Sequence, residues 1–202
     1  MKIRVIFVLC VTLVSLSIRT SAQVQDKQLH SELLAMRKAD QDARNACAGN
    51  ADEQIKCYVK VSETVDKPHT KRLHEIFDTI GFPSADRVGK DGVEAYYLLL
   101  QHSNDIALKQ KCVVGMKEAF DSKAISPADY SSFNDRLLIN LGKPQIFGSN
   151  FDMKDGKLVM SPTVDIKNLD KRRKSIGLPT MDEYVKMLKE YYKLEVVVIG
   201  DK

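Results

Sequence analysis

The segment from Asp91 to His102 constrains this chain more than any other. Val93, Ala95, Tyr96, Tyr97, Leu98, Leu99 and Leu100 leave almost no polar face. A helix that is apolar all round has to be buried all round. The segment therefore predicts a central helix, opened by Asp91 with Glu94 three residues on as a capping box. An element covered on every side needs several others about it, which places the chain in a mostly α class.

The flanking pattern supplies those neighbours. From Gln25 to about Ala46, Leu29, Leu33, Met36 and Ala43 are spaced as one apolar stripe of a helix. Glu53 to Val65 continues in the same style until Pro68 breaks it. A third helix is predicted from Thr70 to Ile80 and ends at Gly81-Phe82-Pro83, glycine closing the helix and proline following. Ser103-Asn104-Asp105 leads into another helix that ends near Phe120. Ser126-Pro127 is a strong helix start, and that helix runs to Leu141 and stops at Gly142. Beyond it, Gln145 to Met153 and Leu158 to Ser161 flank Asp155-Gly156, a hairpin signal. A short helix over Asn168 to Ile176 and a last amphipathic one capped at Thr180 follow, and Glu195 to Ile199 is β-prone. The sum is a single-domain helical bundle with a small β-hairpin in the C-terminal third.

The first residues read as a secretory signal over 1–22. Lys2 and Arg4 precede an apolar run of twelve residues, Val5 to Leu16, and Thr20 and Ala22 are small residues placed for cleavage before Gln23. The run is shorter than the roughly 20 residues that a bilayer requires, so no membrane span is expected after cleavage. Removing Lys2, Arg4 and Arg19 leaves 28 basic against 27 acidic residues over 23–202. A chain so close to neutral lacks the concentrated basic face that nucleic acid demands. Export also makes an oxidised pair reasonable. Cys47 and Cys57 flank the turn-like stretch from Ala48 to Asp52, and such a bridge would stabilise by about 2 to 3 kcal/mol. Cys112, among Val113, Val114 and Met116, reads as a buried small hydrophobe.

A second feature is the density of polar residues among apolar helices from Gln101 to Gly177. His102, at the end of the most apolar helix and beside Gln101, is a candidate general acid or base, or a cap for its own helix. Asp135 points away from the main stripe of its helix yet lies between Leu138 and Ile139. It either bonds an arginine to fix the fold or orients a catalytic group such as His102. Arg136 borders that face. Arg172 and Arg173 lie in a basic run with Lys171 and Lys174, either a solvated face or an anion clamp, with Asp165 as internal partner. Gln145 completes the set. His74-Glu75-Ile76-Phe77-Asp78 imitates a zinc-protease motif, but Leu73, Ile76 and Phe77 explain it as an amphipathic helix, and no metal site is assigned. No glycine-rich phosphate loop, nucleophile elbow or cofactor fingerprint is present, so no cofactor is expected.

These residues follow an order: Gly81-Phe82-Pro83, Leu100-Gln101-His102, Asn134-Asp135-Arg136, the segment from Gly142 to Asn150, Asp165, Arg172-Arg173 with Gly177-Leu178, and Glu183-Tyr184. From about Asp78 to Tyr184 the chain resembles a bacterial family known as domain of unknown function 6624. Members of that family carry a Gly-Trp-Pro turn, Gln-His and Asp-Arg pairs, a Gly-x-x-Gln-x-Tyr-Gly-Thr-Gln segment and an Arg-Arg-x-x-Gly-Leu ending. Here Phe82 replaces the tryptophan, and Phe147-Gly148-Ser149-Asn150 replaces Tyr-Gly-Thr-Gln. The resemblance implies the location of a site and no particular chemistry.

Three functions compete. The first is an exported, cofactor-independent hydrolase or transferase, with His102 and Asp135 catalytic and Arg136, Arg172 or Arg173 holding an anionic substrate positioned by Gln101 and Gln145. The second is a binding module in which the same pocket holds an anionic small molecule or peptide end. The third is a scaffold whose polar set is an internal salt-bridge network. His102 facing an open cavity within hydrogen-bond reach of Asp135 or a water supports the first, a cavity with the arginines and a distant or packed His102 the second, and full pairing without a cavity the third.

Overall fold

The computed structural model describes residues 24–198, so the proposed signal sequence lies outside the described residues. The chain is mostly helical, with a small three-stranded sheet near its C-terminal third. Helix α1 (Lys27–Asn45) is capped by Asp26, whose carboxylate accepts from Leu29 N. Helix α2 (Ala51–Val61) opens with a reciprocal box between Asn50 and Glu53. The Cys47–Cys57 disulfide closes the turn between these two helices, and Cys112 is free and buried.

Pro68 does not break the helix as its sequence suggests. A π-helical turn, Ser62–Asp66, carries α2 straight into α3 (Lys67–Ile80), with Pro68 in the first turn of α3. Proline lacks an N–H and crowds the preceding turn, and the wider π turn accommodates both. Gly81 then ends α3 at φ 73°.

Helix α4 (Ala85–His102) is the central element, with Val88, Val93, Ala95, Tyr96, Tyr97, Leu99 and Leu100 buried. It begins at Ala85, six residues earlier than Asp91, and the expected capping box is replaced by a kink. Gly89 turns the chain at φ 73°, and Asp91 accepts from Gly92 N and holds His30. The predicted helix through Phe120 is two, α5 (Ile106–Lys111) and α6 (Val113–Asp121), broken at Cys112. Ser126 caps α7 (Pro127–Asn140). Helices α1, α3, α5, α6 and α7 contribute the side chains that enclose α4.

After Gly142 the chain is irregular as far as Asn150, where an extended strand was expected. Strands β1 (Phe151–Lys154) and β2 (Lys157–Met160) then pair antiparallel, Asp152 opposite Val159. Asp155 and Gly156 both have positive φ, as a tight hairpin turn requires. Helix α8 (Leu169–Ser175) follows a 3-10 turn, and Thr180 caps α9 (Met181–Tyr192) with Glu183 in a reciprocal box. Strand β3 (Val196–Val197) joins β2 in parallel. Met160, Leu169 and Met181 form a second apolar cluster beneath the sheet, joined by Phe151 and Tyr184. No helix among the described residues is long and apolar enough to cross a membrane.

Candidate functional site

In the irregular segment 145–150 only the ends find backbone partners, Gln145 in a bridge beside Thr163 and Asn150 O accepting from Ser161 N, and side chains satisfy the groups between. Asp135, fully buried on α7, accepts from the backbone N–H groups of Ile146 (2.8 Å), Phe147 (3.0 Å) and Ser149 (2.9 Å), and from Ser149 Oγ (2.8 Å). Gln145, also fully buried, spends its whole amide on tying Asn150 to the strand end at Ser161. Its Nε2 donates to the carbonyls of Asn150 and Ser161, and its Oε1 accepts from Asn150 N. The carbonyls facing the other way are met by arginines. Arg172 donates to the carbonyls of Ile146, Val164 and Asp165 and stands 3.5 Å from the Asp165 carboxylate. Arg173 donates through Nε to Pro179 O and through Nη1 to Phe147 O, both at 2.7 Å. A carboxylate gathers the N–H groups on one side, and guanidinium groups gather the carbonyls on the other. Gly148, at φ 66°, permits the bend between them.

His102 is not part of this assembly. The expected pairing with Asp135 is corrected by the geometry, because successive helical residues point about 100° apart. Gln101 faces α7, where its Nε2 donates to Ser132 Oγ at 2.9 Å, and its Oε1 is buried without a partner among the described residues. His102 faces α1, with Nδ1 2.9 Å from the fully buried carboxylate of Asp40. Burial pushes the Asp40 carboxyl up, but hydrogen bonds from His102 and Gln41 and the charges of His102 and Arg44 outweigh it and hold the group below the usual carboxylate range. Arg44 continues the chain of charges, in ion-pair contact with Asp40 at 3.1 Å outside hydrogen-bond geometry, and its Nη2 donates to both carboxylate oxygens of Asp66 in the π turn. This set ties α1, α4 and the π turn together. His74, from the zinc-like stretch, bonds Asp105 at 2.8 Å.

What the braced loop presents is a cleft of about 300 Å³ between α4, α7, the 178–179 turn and α9. Its polar wall carries Tyr97, Asp129, Ser132, Ser149 and Tyr184, and Leu178, Pro179 and Met187 supply an apolar side. Arg173 also lines it. That residue is only 1% exposed, its guanidinium carbon lies 4.7 Å over the Tyr184 ring, and Nη2 has no protein partner among the described residues. Asp170 and Asp135 act on it only from beyond ion-pair distance, and burial lowers its pKa. Burial first, and then the charge of Asp129, push the Tyr97 phenol up. At the cleft's edge, Arg136 Nε donates to Asn150 Oδ1 at 2.9 Å, and Asn150 donates to Ser149.

Two other hollows lack this convergence. One of about 190 Å³ holds Arg72, already paired with Glu32 and Glu75. A larger one of about 680 Å³, beside Phe120, Ile125 and Ile176, includes none of the resemblance residues.

Sequence reasoning missed Tyr97, Asp129 and Ser132 on the cleft, as well as Asp40 and Lys109. Asp40 had a signal, since it occupies the stripe of Leu33 and Met36 at helical spacing, a carboxylate where an apolar residue belongs. Lys109, 2% exposed, donates to Gln101 O at 3.2 Å; burial, and next the charge of Arg136, push its amine down to about 8. Nothing in its local sequence marks it.

A mostly helical chain whose arginines, aspartate and glutamine brace one loop over a cleft is the class of protein defined here. A family model described as "Family of unknown function (DUF6624)" matches residues 27–197, and the chain belongs to that family. Neither a curated protein nor a solved structure matches it.

Proposed function

We propose that this chain is an exported binding protein, a signal sequence over 1–22 followed by one domain, that holds a small anionic ligand in the cleft at Arg173. The carrying observation is the Arg173 guanidinium: buried, always charged and, among the described residues, without a carboxylate at ion-pair distance. Its hydrogen bonds to two carbonyls satisfy donors but leave a net charge in a poorly solvated place, at a cost of several kcal/mol. An anion offering an oxygen to Nη2 would neutralise that charge. Ser132, Ser149 and the phenols of Tyr97 and Tyr184 line the same cleft. Binding is favoured over catalysis because His102 looks to the opposite side of α4, toward Asp40. A pure scaffold is disfavoured because the cleft is open and Arg173 has no carboxylate at ion-pair distance among the described residues.

Thermal unfolding with inorganic phosphate, acetate and isocaproate tests the reading. A ligand at about ten times its Kd should add roughly 1.4 kcal/mol, a rise of about 3 to 5 °C for a chain this size. Arg173→Gln and Ser132→Val should lose the rise, and His102→Asn should keep it. Equal rises in all variants, or none in the wild type, would discard the proposal.

A further inference from the structure

The cleft has a second ionised group on its wall, and the two are of opposite sign. Asp129, in the first turn of α7, accepts from Ser126 Oγ at 2.7 Å and has no lysine, arginine or histidine within ion-pair distance among the described residues. Arg173, on the same wall, has no carboxylate at that distance. The two do not pair with each other either. Asp129 is half-exposed in the first turn of α7, where the helix dipole and water stabilise its charge, whereas Arg173 is buried without such help. Separate, unpaired charges of opposite sign on one small cleft are complementary to a dipolar guest. The cleft also has an apolar side, Leu178, Pro179 and Met187, between polar groups.

Resting on the anion-binding reading above, we infer that the ligand is a small zwitterion, an amino acid or short peptide. Its carboxylate meets Arg173, its ammonium meets Asp129, and its aliphatic part lies against the Leu178–Pro179 turn. Tyr97, whose phenol neighbours both Asp129 and Ser132, stands on the ammonium side. The volume of about 300 Å³ is at the low end for small-molecule sites and admits a guest of amino-acid or dipeptide size.

Titration calorimetry on the purified chain separates the two claims. The probes are leucine and alanyl-alanine, with isocaproate as leucine without its ammonium and isoamylamine as leucine without its carboxylate. A zwitterion is expected to bind at least about tenfold tighter than either single-charge analogue. Asp129→Asn, which keeps an acceptor for Ser126, should bring leucine to the affinity of isocaproate and leave isocaproate no weaker. If isocaproate and the zwitterions bind alike, and Asp129→Asn changes neither, the zwitterion is wrong and anion binding stands. If isoamylamine alone binds, or no probe gives heat at about ten millimolar, both readings fall.

Discussion

Asp135 shows how much one side chain decides here. Its two oxygens take three backbone N–H groups and one hydroxyl, all from the segment it braces. Asp135→Asn keeps the volume but turns one oxygen into a donor facing donors. The expected cost is about 2 to 4 kcal/mol in chemical denaturation, with loss of the ligand-induced rise in Tm. Lys109 gives a pH signature. Its amine titrates near 8 in the fold against an ordinary value of 10.5. Between those values the unfolded chain carries the extra proton, so stability should rise with pH. From pH 8 to about 9.5, before tyrosines intervene, the gain should be roughly 1 to 2 kcal/mol. Lys109→Met should flatten that limb, and an unchanged slope would mean the amine is hydrated.

At the level of elements, the close approach of α6 to the turn after α3 rests on one missing side chain. A Cβ on Gly115 would lie 2.1 Å from Phe82 Cβ. Phe82 in turn meets Tyr96 edge-on, with ring centroids 5.1 Å apart. Gly115→Ala should cost about 1 to 3 kcal/mol, and less in a Phe82→Gly background, which removes the Cβ that it meets. Additive costs in that double-mutant cycle would place the strain elsewhere. Helix existence was legible because caps and stripes are local: Ser126, Thr180 and the apolar faces of α3 and α4 all announce themselves. Continuity was not. Pro68 carries a strong local stop, and only the π turn before it, a tertiary accommodation, lets the helix run on. The same limit applies to the site. The sequence marks Asp135, Gln145, Arg172 and Arg173 as polar residues in apolar company. Whether each braces a loop or touches a guest depends on directions that only the assembled helices set. His102 and Gln101 are adjacent in sequence and face different neighbours for that reason.

Across the molecule, the α4-centred core and the second cluster beneath the sheet are joined through the braced loop, and the cleft lies where they meet. The disulfide is remote from it, at the α1–α2 turn. Cys47→Ala with Cys57→Ala should therefore lower stability by about 2 to 3 kcal/mol and leave ligand affinity unchanged. A parallel loss of affinity would show that α2 and the cleft are coupled. A crystal structure of the chain grown with isocaproate tests ligand binding at Arg173 most directly. The carboxylate is expected within hydrogen-bond distance of Arg173 Nη2 and the alkyl chain along Leu178 and Pro179. A carboxylate bound instead at His102, or at Lys109 and Arg136, with the cleft holding only water, would contradict binding there.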